Sequence, residues 1–155
     1  MDILWQELSF GMPGSREVTQ VLLRLLAAVL AGAVVGFERE RAGKAAGLRT
    51  HILVSLGTCL FVLAGSSYGM SSDGLSRVIQ GIVTGIGFIG AGSILKLEDK
   101  KDIQGLTTSA GIWMTAAIGV TVGLGEIGLA LISAVITVIV LSLLRSFEKE
   151  KDHSA

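Results

Sequence analysis

The sequence predicts an all-α fold, a polytopic transmembrane bundle of five glycine-rich helices. Apolar residues make up 50% of the 155 residues and charged residues only 17%, against about 25% charged residues in soluble domains. The chain has 21 glycines and one proline, and glycine suits membrane helices because it lets their backbones approach closely. The formal net charge is zero, which argues against nucleic acid as a partner.

Five segments meet the requirement of a transmembrane helix for roughly 17 to 25 mostly apolar residues. They are 18–37, 51–69, 78–96, 106–122 and 126–144. Only residues 123–125 separate the last two, which predicts a tight helical hairpin. The spans form a membrane domain, 18–145. It follows a short amphipathic segment, 1–17, expected to lie on the membrane surface, and precedes a charged cytoplasmic tail, 146–155.

Basic residues predict the orientation, because loops on the cytoplasmic side accumulate lysine and arginine. Ten of them fall on one side of the predicted spans: Arg39, Arg41, Lys44, Arg49, Lys96, Lys100, Lys101, Arg145, Lys149 and Lys151. The other side has Arg16 and Arg77. We therefore expect the N-terminus outside the membrane and the C-terminus in the cytoplasm.

The turn between the first two spans concentrates charge. Glu38-Arg39-Glu40-Arg41 opens it and Gly47-Leu48-Arg49-Thr50 closes it. Glu38 and Arg41 are three residues apart, so the first helix can extend a turn beyond its span with these two side chains paired. One interpretation is a solvated cap that anchors two helix ends. The other, which we favour because orientation requires no acidic residue here, is an ion-pair network or ion site formed by Glu38, Arg39, Glu40 and Arg49, with Thr50 beside them.

Arg24 lies inside the first span, roughly 9 Å from its outer end at 1.5 Å per residue. An arginine at that depth costs a few kcal/mol unless it reaches the headgroups or finds a partner. Two orientations stay open at this point. The side chain either extends to the outer headgroups or turns inward to backbone carbonyls, hydroxyls or Glu126.

The third span is rich in glycine. Gly85-Ile86-Gly87-Phe88-Ile89-Gly90 fits the G-x-G-x-x-G dinucleotide motif. It lies in the middle of an apolar span rather than between a strand and a helix, so nucleotide binding is not expected. Small residues four apart, such as Gly81 and Gly85, instead predict close helix packing. The glycines predicted to serve it are Gly32, Gly36, Gly81, Gly85, Gly87, Gly90 and Gly92.

Polar residues of the third and fourth spans form a second candidate site. Gln80 and Thr84 share one face of the third helix, and Arg77 marks its outer end. Interhelical hydrogen bonding is one interpretation, and a polar cleft or ion path between the two helices is the other. The first is favoured, because the stripe holds no carboxylate to bind Mg²⁺. The fourth span contributes Thr107, Thr108 and Trp113.

Catalytic and metal-binding chemistry find little support in the sequence. His51 and His153 are not spaced with acids or cysteines as zinc ligands are, and Cys59 stands alone in an apolar run. His51 is expected to cap or pair at the membrane interface. We predict neither an enzyme nor a cofactor, and any bound metal stays unknown.

Several motifs in order resemble the MgtC/SapB family over about residues 20–125. They are Arg24-Leu25 with Gly36-Phe37-Glu38-Arg39-Glu40, Ala46-Gly47-Leu48-Arg49-Thr50-His51, and the stretches 85–94 and 105–113. The resemblance implies a bacterial inner-membrane protein tied to growth under magnesium limitation and, in pathogens, to survival inside host cells. It also implies regulation of other membrane machinery, including the proton-translocating ATP synthase. Many members carry a soluble domain after the fifth helix, and we expect this sequence to represent the membrane domain alone.

We therefore expect a small membrane protein that binds and regulates rather than catalyses. Its environment is the lipid bilayer, and its expected partners are further copies of itself and possible other membrane protein complexes. The alternative is a transporter or channel for magnesium or another small ion. A continuous polar path from Arg77 and Gln80 at the outer face to Glu38, Glu40 and Arg49 at the inner face would favour that alternative.

Overall fold

The computed structural model describes residues 14–96 and 103–152, and it confirms five helices. These are α1 (Ser15–Arg41), α2 (Leu48–Ser67), α3 (Ser72–Gly92), α4 (Leu106–Gly123) and α5 (Ile127–Asp152). Two short strands join α3 to α4, β1 (Leu95–Lys96) and β2 (Ile103–Gln104). They pair antiparallel, with Leu95 opposite Gln104. The predicted surface segment 1–17 lies almost wholly outside the described residues.

Local capping explains where α3 differs from the predicted span 78–96. The Ser71 hydroxyl accepts a hydrogen bond of 3.3 Å from the Gly74 amide, so the helix begins at Ser72. The carboxylate of Asp73 in the first turn adds a favourable interaction with the positive end of the helix dipole. At the other end the Ser93 hydroxyl donates to the Gly90 carbonyl at 2.7 Å. The chain then becomes extended, and residues 95–96 form a strand rather than the end of a helix.

Four helices enclose the core, and α3 lies at the edge of the bundle. The core residues come from α1, α2, α4 and α5: Ala28, Ala31, Val35, Cys59, Leu63, Ile118, Val122, Ala130 and Ala134. On α3 only Ile86 and Gly90 are buried. Phe88, in the same helix, is 84% exposed. This main core is therefore built without α3, which presents most of its surface outward. Ile86 of α3 joins a smaller buried cluster with Ala46, Ile112 and Ala116.

The outer surface of the bundle is apolar. Large hydrophobic side chains such as Leu26, Phe61 and Ile132 are more than half exposed, as expected of residues that face lipid. The four helices α1 to α4 are long and apolar enough to cross a membrane, and α5 has a shorter apolar stretch, Ile127–Leu143. The chain is a multi-pass membrane protein. Its orientation in the membrane stays a prediction.

Because the helices alternate in direction, the bundle has two distinct ends. We call the end with the α1–α2 loop and the two strands the strand end. The end with the α2–α3 and α4–α5 turns is called the turn end. The charged motif 38–50 lies at the strand end and Arg24 near the turn end.

Candidate functional site

Two glycines bring α1 and α2 together at the strand end. A Cβ built on Gly32 would lie 2.7 Å from the His51 carbonyl oxygen, and one on Gly36 would lie 2.8 Å from the Leu48 Cα. Both neighbours are backbone atoms, so neither position has room for a side chain. The same helix also buries Val35 and Arg39.

Arg39 is 1% exposed, and its charge is balanced by its neighbour. Its Nε forms an ion pair with the Glu38 carboxylate, and its Nη2 donates to the Leu141 carbonyl of α5 at 3.4 Å. α1 does extend to Arg41, but the sequence-based pairing of Glu38 with Arg41 is not the one formed. Arg41 is exposed to solvent. Arg39 is buried, and a buried guanidinium without a countercharge strongly destabilises the fold, so Glu38 pairs with Arg39.

Glu40 has a different role, as a cap of α2. Its Oε2 accepts a hydrogen bond of 2.9 Å from the Leu48 amide at the helix N-terminus, where a negative charge is favoured. Arg49 is exposed and Thr50 half-buried, and neither side chain makes a hydrogen bond or ion pair within the described part of the chain. The structure therefore joins Glu38 to Arg39, and does not join Glu40 or Arg49 to that pair.

His51 and Thr115 form a buried polar contact between α2 and α4. The His51 Nδ1 and Thr115 Oγ1 atoms are 2.7 Å apart, and both side chains are fully buried. The Thr115 hydroxyl donates its hydrogen to the Gly111 carbonyl at 2.9 Å. The hydroxyl oxygen therefore accepts a hydrogen bond from the His51 Nδ1–H group, and in a neutral imidazole the other nitrogen, Nε2, is then the unprotonated one. Although the Ala46 carbonyl is near the ring, Nε2 has no hydrogen-bond partner among the described residues.

Sequence reasoning missed this contact by placing His51 at the membrane interface. Its ring lies inside the bundle instead, because Gly36 admits α1 next to its Cβ and Gly111 of α4 leaves room beside its Cε1. The signal was present in the helical spacing. His51, Ser55 and Thr58 recur on one face of α2, and all three are buried. The Ser55 hydroxyl, like Nε2, has no partner in the described chain.

Arg24 takes the inward orientation, with a carbonyl as its partner. Its Nη1 donates to the Gly123 carbonyl at the end of α4, at 3.0 Å. Gly125, at φ +96°, passes so close that a Cβ there would lie 2.8 Å from Nη2. Glu126 is exposed and takes no part in the contact. Arg24 thus fastens α1 to the α4–α5 turn.

The candidate residues on α3 do not meet those of α4. Arg77 and Gln80 are exposed, and the Thr84 hydroxyl donates within its own helix to the Gln80 carbonyl at 2.9 Å. Gln80 and Thr84 line an outward groove of about 620 Å³. Trp113 is half-exposed and lines a small cavity of about 200 Å³ with apolar residues of α3.

The five glycines of α3 that were predicted to serve helix packing divide into two groups. Gly90 is packed, since a Cβ there would lie 2.6 Å from the Ser109 hydroxyl of α4. A Cβ would meet open space at the others: Gly81, Gly85, Gly87 and Gly92. Within the chain these four do not hold helices together, and a packing role for them requires a neighbouring molecule.

Thr107 and Thr108 lie at the strand end, at the start of α4. They line a cavity of about 600 Å³ between α4 and the α1–α2 loop. Thr107 is exposed and Thr108 is buried. Gly43, Lys44 and Ala45, within the charged motif 38–50, also line this cavity. No group of three or more histidine, cysteine, aspartate or glutamate side chains suited to a metal ion occurs in the described ranges.

Comparison with known proteins gives one family match. A model of the MgtC family matches residues 25–150. The chain is 44% identical over 130 residues to the protein SrpB of Synechococcus elongatus, covering 77% of this chain and 71% of that protein. It is 45% identical to the Escherichia coli K12 protein named "Putative magnesium transporter YhiD", covering 80% of this chain and 60% of the relative.

A third relative is the protein MgtC of Salmonella typhimurium, which is 44% identical over 124 residues. The match covers 80% of this chain and 52% of that protein. The chain thus spans less than two thirds of the length of the Escherichia coli and Salmonella relatives. No solved structure matches the chain.

Proposed function

Because this chain belongs to the MgtC family, we propose that it is a bacterial inner-membrane protein that regulates other membrane machinery during growth under magnesium limitation. The partner we propose is a membrane protein complex such as the proton-translocating ATP synthase. The relatives are bacterial proteins, and the name of one of them refers to magnesium. The whole-protein role is a proposal, since these relatives extend beyond the matched region.

The interior of the bundle, where none of the buried residues described is a carboxylate, is the observation that carries this proposal. Arg24 and Gly123 form a polar contact near the turn end, and the Glu38–Arg39 pair lies at the strand end. Between them Ala28, Ala31 and Val35 pack against apolar residues of the other helices. The buried polar side chains at this level include the uncharged hydroxyls of Ser55, Thr58 and Thr115. Magnesium holds its water tightly and is bound by oxygen ligands, usually including carboxylates. A core of this composition supports binding and regulation rather than conduction through one chain.

Magnesium or ion transport is the second candidate function, and two observations favour it. One is the name given to the Escherichia coli relative. The other is the pair of buried atoms without partners, His51 Nε2 and Ser55 Oγ, since unpaired polar groups inside a membrane protein often mark ion or proton routes. Transport by this route would require that the packed core residues between His51 and the turn end, such as Val122 and Ala28, move apart.

Self-association through α3 is part of the proposal. Gly81 and Gly85 follow the small-xxx-small pattern of membrane helix interfaces, and both are open to the outside. A second copy of the chain is the occupant we propose for this face, because glycines give no advantage in contact with lipid alone. The exposed face of α3 would then be covered in the assembled protein.

ATP-driven proton pumping in inverted membrane vesicles tests the regulatory proposal. Vesicles are prepared from cells that produce the wild-type chain, a Glu38→Gln variant or no protein, at matched levels of ATP synthase. We expect the wild-type chain to change the pumping rate, because it binds the complex, and the variant to change it less. An Arg41→Ala variant is the matched control, since Arg41 is exposed on the same helix turn. Equal rates in all four preparations would contradict the proposal for this partner.

A further inference from the structure

The cavity beside the start of α4, which we call the α4 cavity, is formed by three parts of the chain. The α1–α2 loop contributes Gly43, Lys44 and Ala45, the end of α3 contributes Ser93, and residues 103–108 complete it. Its volume is about 600 Å³. Lys44 is charged, and none of the described lining residues is acidic. The α4 cavity is therefore a polar space with a positive side chain at its edge.

The first residues of α4 line this cavity, and their amides have no side-chain cap. Gly105 is the N-cap and offers no side chain. Its φ of +95° and its approach to the Ser93 carbonyl exclude any other residue. The first helical bond runs from the Ser109 amide to the Gly105 carbonyl at 2.8 Å. The three amides before it, residues 106–108, have no intrahelical carbonyl, and together they form the positive end of the helix dipole.

Thr108 supplies a separate observation that points to a ligand. Its side chain lines the α4 cavity and is 5% exposed, yet its hydroxyl makes no hydrogen bond within the described chain. Threonines deeper in α4 satisfy their hydroxyls on the preceding turn, as Thr121 does on the Ala117 carbonyl at 2.9 Å. The enclosed side-chain polar atoms without a partner in the described chain are His51 Nε2 and Ser55 Oγ, so the Thr108 hydroxyl oxygen keeps some accessible surface. Because the rest of the residue is buried, this surface opens to the cavity, and the hydroxyl can donate to an acceptor atom there.

We propose that the α4 cavity binds a phosphoryl group at the membrane surface. Three uncapped amides, the Thr108 hydroxyl and the Lys44 ammonium are all donors, and together they suit the oxygens of a tetrahedral oxyanion. The group belongs either to an anionic lipid headgroup or to a soluble phosphate compound, since the cavity is open to both. This binding site is independent of the regulatory role proposed above.

Titration of the purified full chain with inorganic phosphate tests the soluble source. The thermal midpoint in a neutral detergent is followed against sodium phosphate, with sodium chloride at equal ionic strength as the reference. We expect phosphate to raise the midpoint of the wild-type chain. Thr108→Val and Lys44→Gln should each weaken the response roughly tenfold in concentration, as expected for the loss of one hydrogen bond to a charged ligand.

Native mass spectrometry tests the lipid source, with the chain taken from vesicles of phosphatidylcholine containing one fifth phosphatidylglycerol. Retention of phosphatidylglycerol by the wild-type chain, reduced in the same two variants, assigns the site to a headgroup. Thr121→Val and Arg41→Gln are the matched controls and should behave as the wild-type chain does. The proposal is overturned if neither probe binds, or if the two variants and the two controls bind alike. Binding is measured without any partner, so this failure would be distinct from a failure of the regulatory proposal.

Discussion

His51 of α2 and Thr115 of α4 are joined by a buried hydrogen bond, with Nδ1 and Oγ1 2.7 Å apart. The same turn of α2 is in contact with α1, because Gly32 leaves room for the His51 carbonyl. One residue therefore links three helices at the strand end. The His51 side chain connects α2 to α4, and its backbone carbonyl packs against Gly32 of α1.

Thr115→Val should destabilise the protein by about 1 kcal/mol, in the range of one lost interhelical hydrogen bond in a membrane. Valine keeps the shape of threonine but leaves the His51 Nδ1 without an acceptor. The measurement is the thermal midpoint of the detergent-solubilised chain. Thr121→Val is the control, because that hydroxyl is satisfied within its own helix. Equal midpoints for the two variants would contradict the importance of the contact.

Glu38→Gln should impair growth under low magnesium more than Arg41→Ala does. The first change leaves the buried Arg39 guanidinium without its countercharge, which costs a few kcal/mol, and the second removes an exposed charge. The assay is complementation of a strain that needs the protein at low magnesium, with membrane levels matched by immunoblot. Equal growth of the two variants would show that the ion pair is dispensable.

Gly36→Ala and Gly119→Ala should each lower the thermal stability by about 1 to 3 kcal/mol through overpacking. A Cβ on Gly36 would meet the backbone of Leu48, and one on Gly119 would meet the Ser55 carbonyl and the Thr58 hydroxyl. Gly57→Ala in α2 is the control, because its Cβ would meet open space and Gly57 lies outside the α3 face proposed for self-association. A loss of stability in Gly57→Ala as large as in the other two would contradict this distinction.

Gly125→Ala should destabilise the α4–α5 turn by about 1 kcal/mol or more, since alanine is strained at positive φ. Its Cβ would also press on the Arg24 guanidinium and weaken the bond from Arg24 to the Gly123 carbonyl. Gly128→Ala in α5 is the matched control, because nothing lies within 4 Å of a Cβ there. A thermal midpoint equal to that of Gly128→Ala would show that the Arg24 contact adds no stability.

Hydropathy predicted the helices because each span must satisfy its own backbone inside the bilayer. For an inward Arg24 the sequence offered backbone carbonyls, hydroxyls or Glu126 as partners, and the structure uses the Gly123 carbonyl. The strands at 95–96 and 103–104 were not predictable in this way. Two residues each are too short for a period-two pattern, and they pair only because α3 and α4 bring them together.

The candidate site was predictable in its location but not in its pairing. Charge clustering placed Glu38 and Arg39 at a helix end, whereas spacing on an isolated helix favoured Arg41 as the partner of Glu38. The choice depends on which arginine is buried, and that is a matter of tertiary packing, in which Arg39 contacts the Leu141 carbonyl of α5. The spacing of the α3 glycines did not predict their exposure for a related reason. A small-xxx-small pattern does not show whether a neighbouring helix lies on that face.

Magnesium flux in proteoliposomes tests the central claim, that the protein acts by binding and regulation rather than by transport. Purified chain is reconstituted alone around a magnesium-sensitive dye, with an inward magnesium gradient and a membrane potential. We expect the dye signal to match that of empty liposomes, because the buried polar residues between Arg24 and Arg39, such as Ser55, Thr58 and Thr115, provide no carboxylate for the ion. Uptake that saturates with magnesium and is lost in Glu38→Gln or Arg77→Ala would contradict the account and establish a transporter.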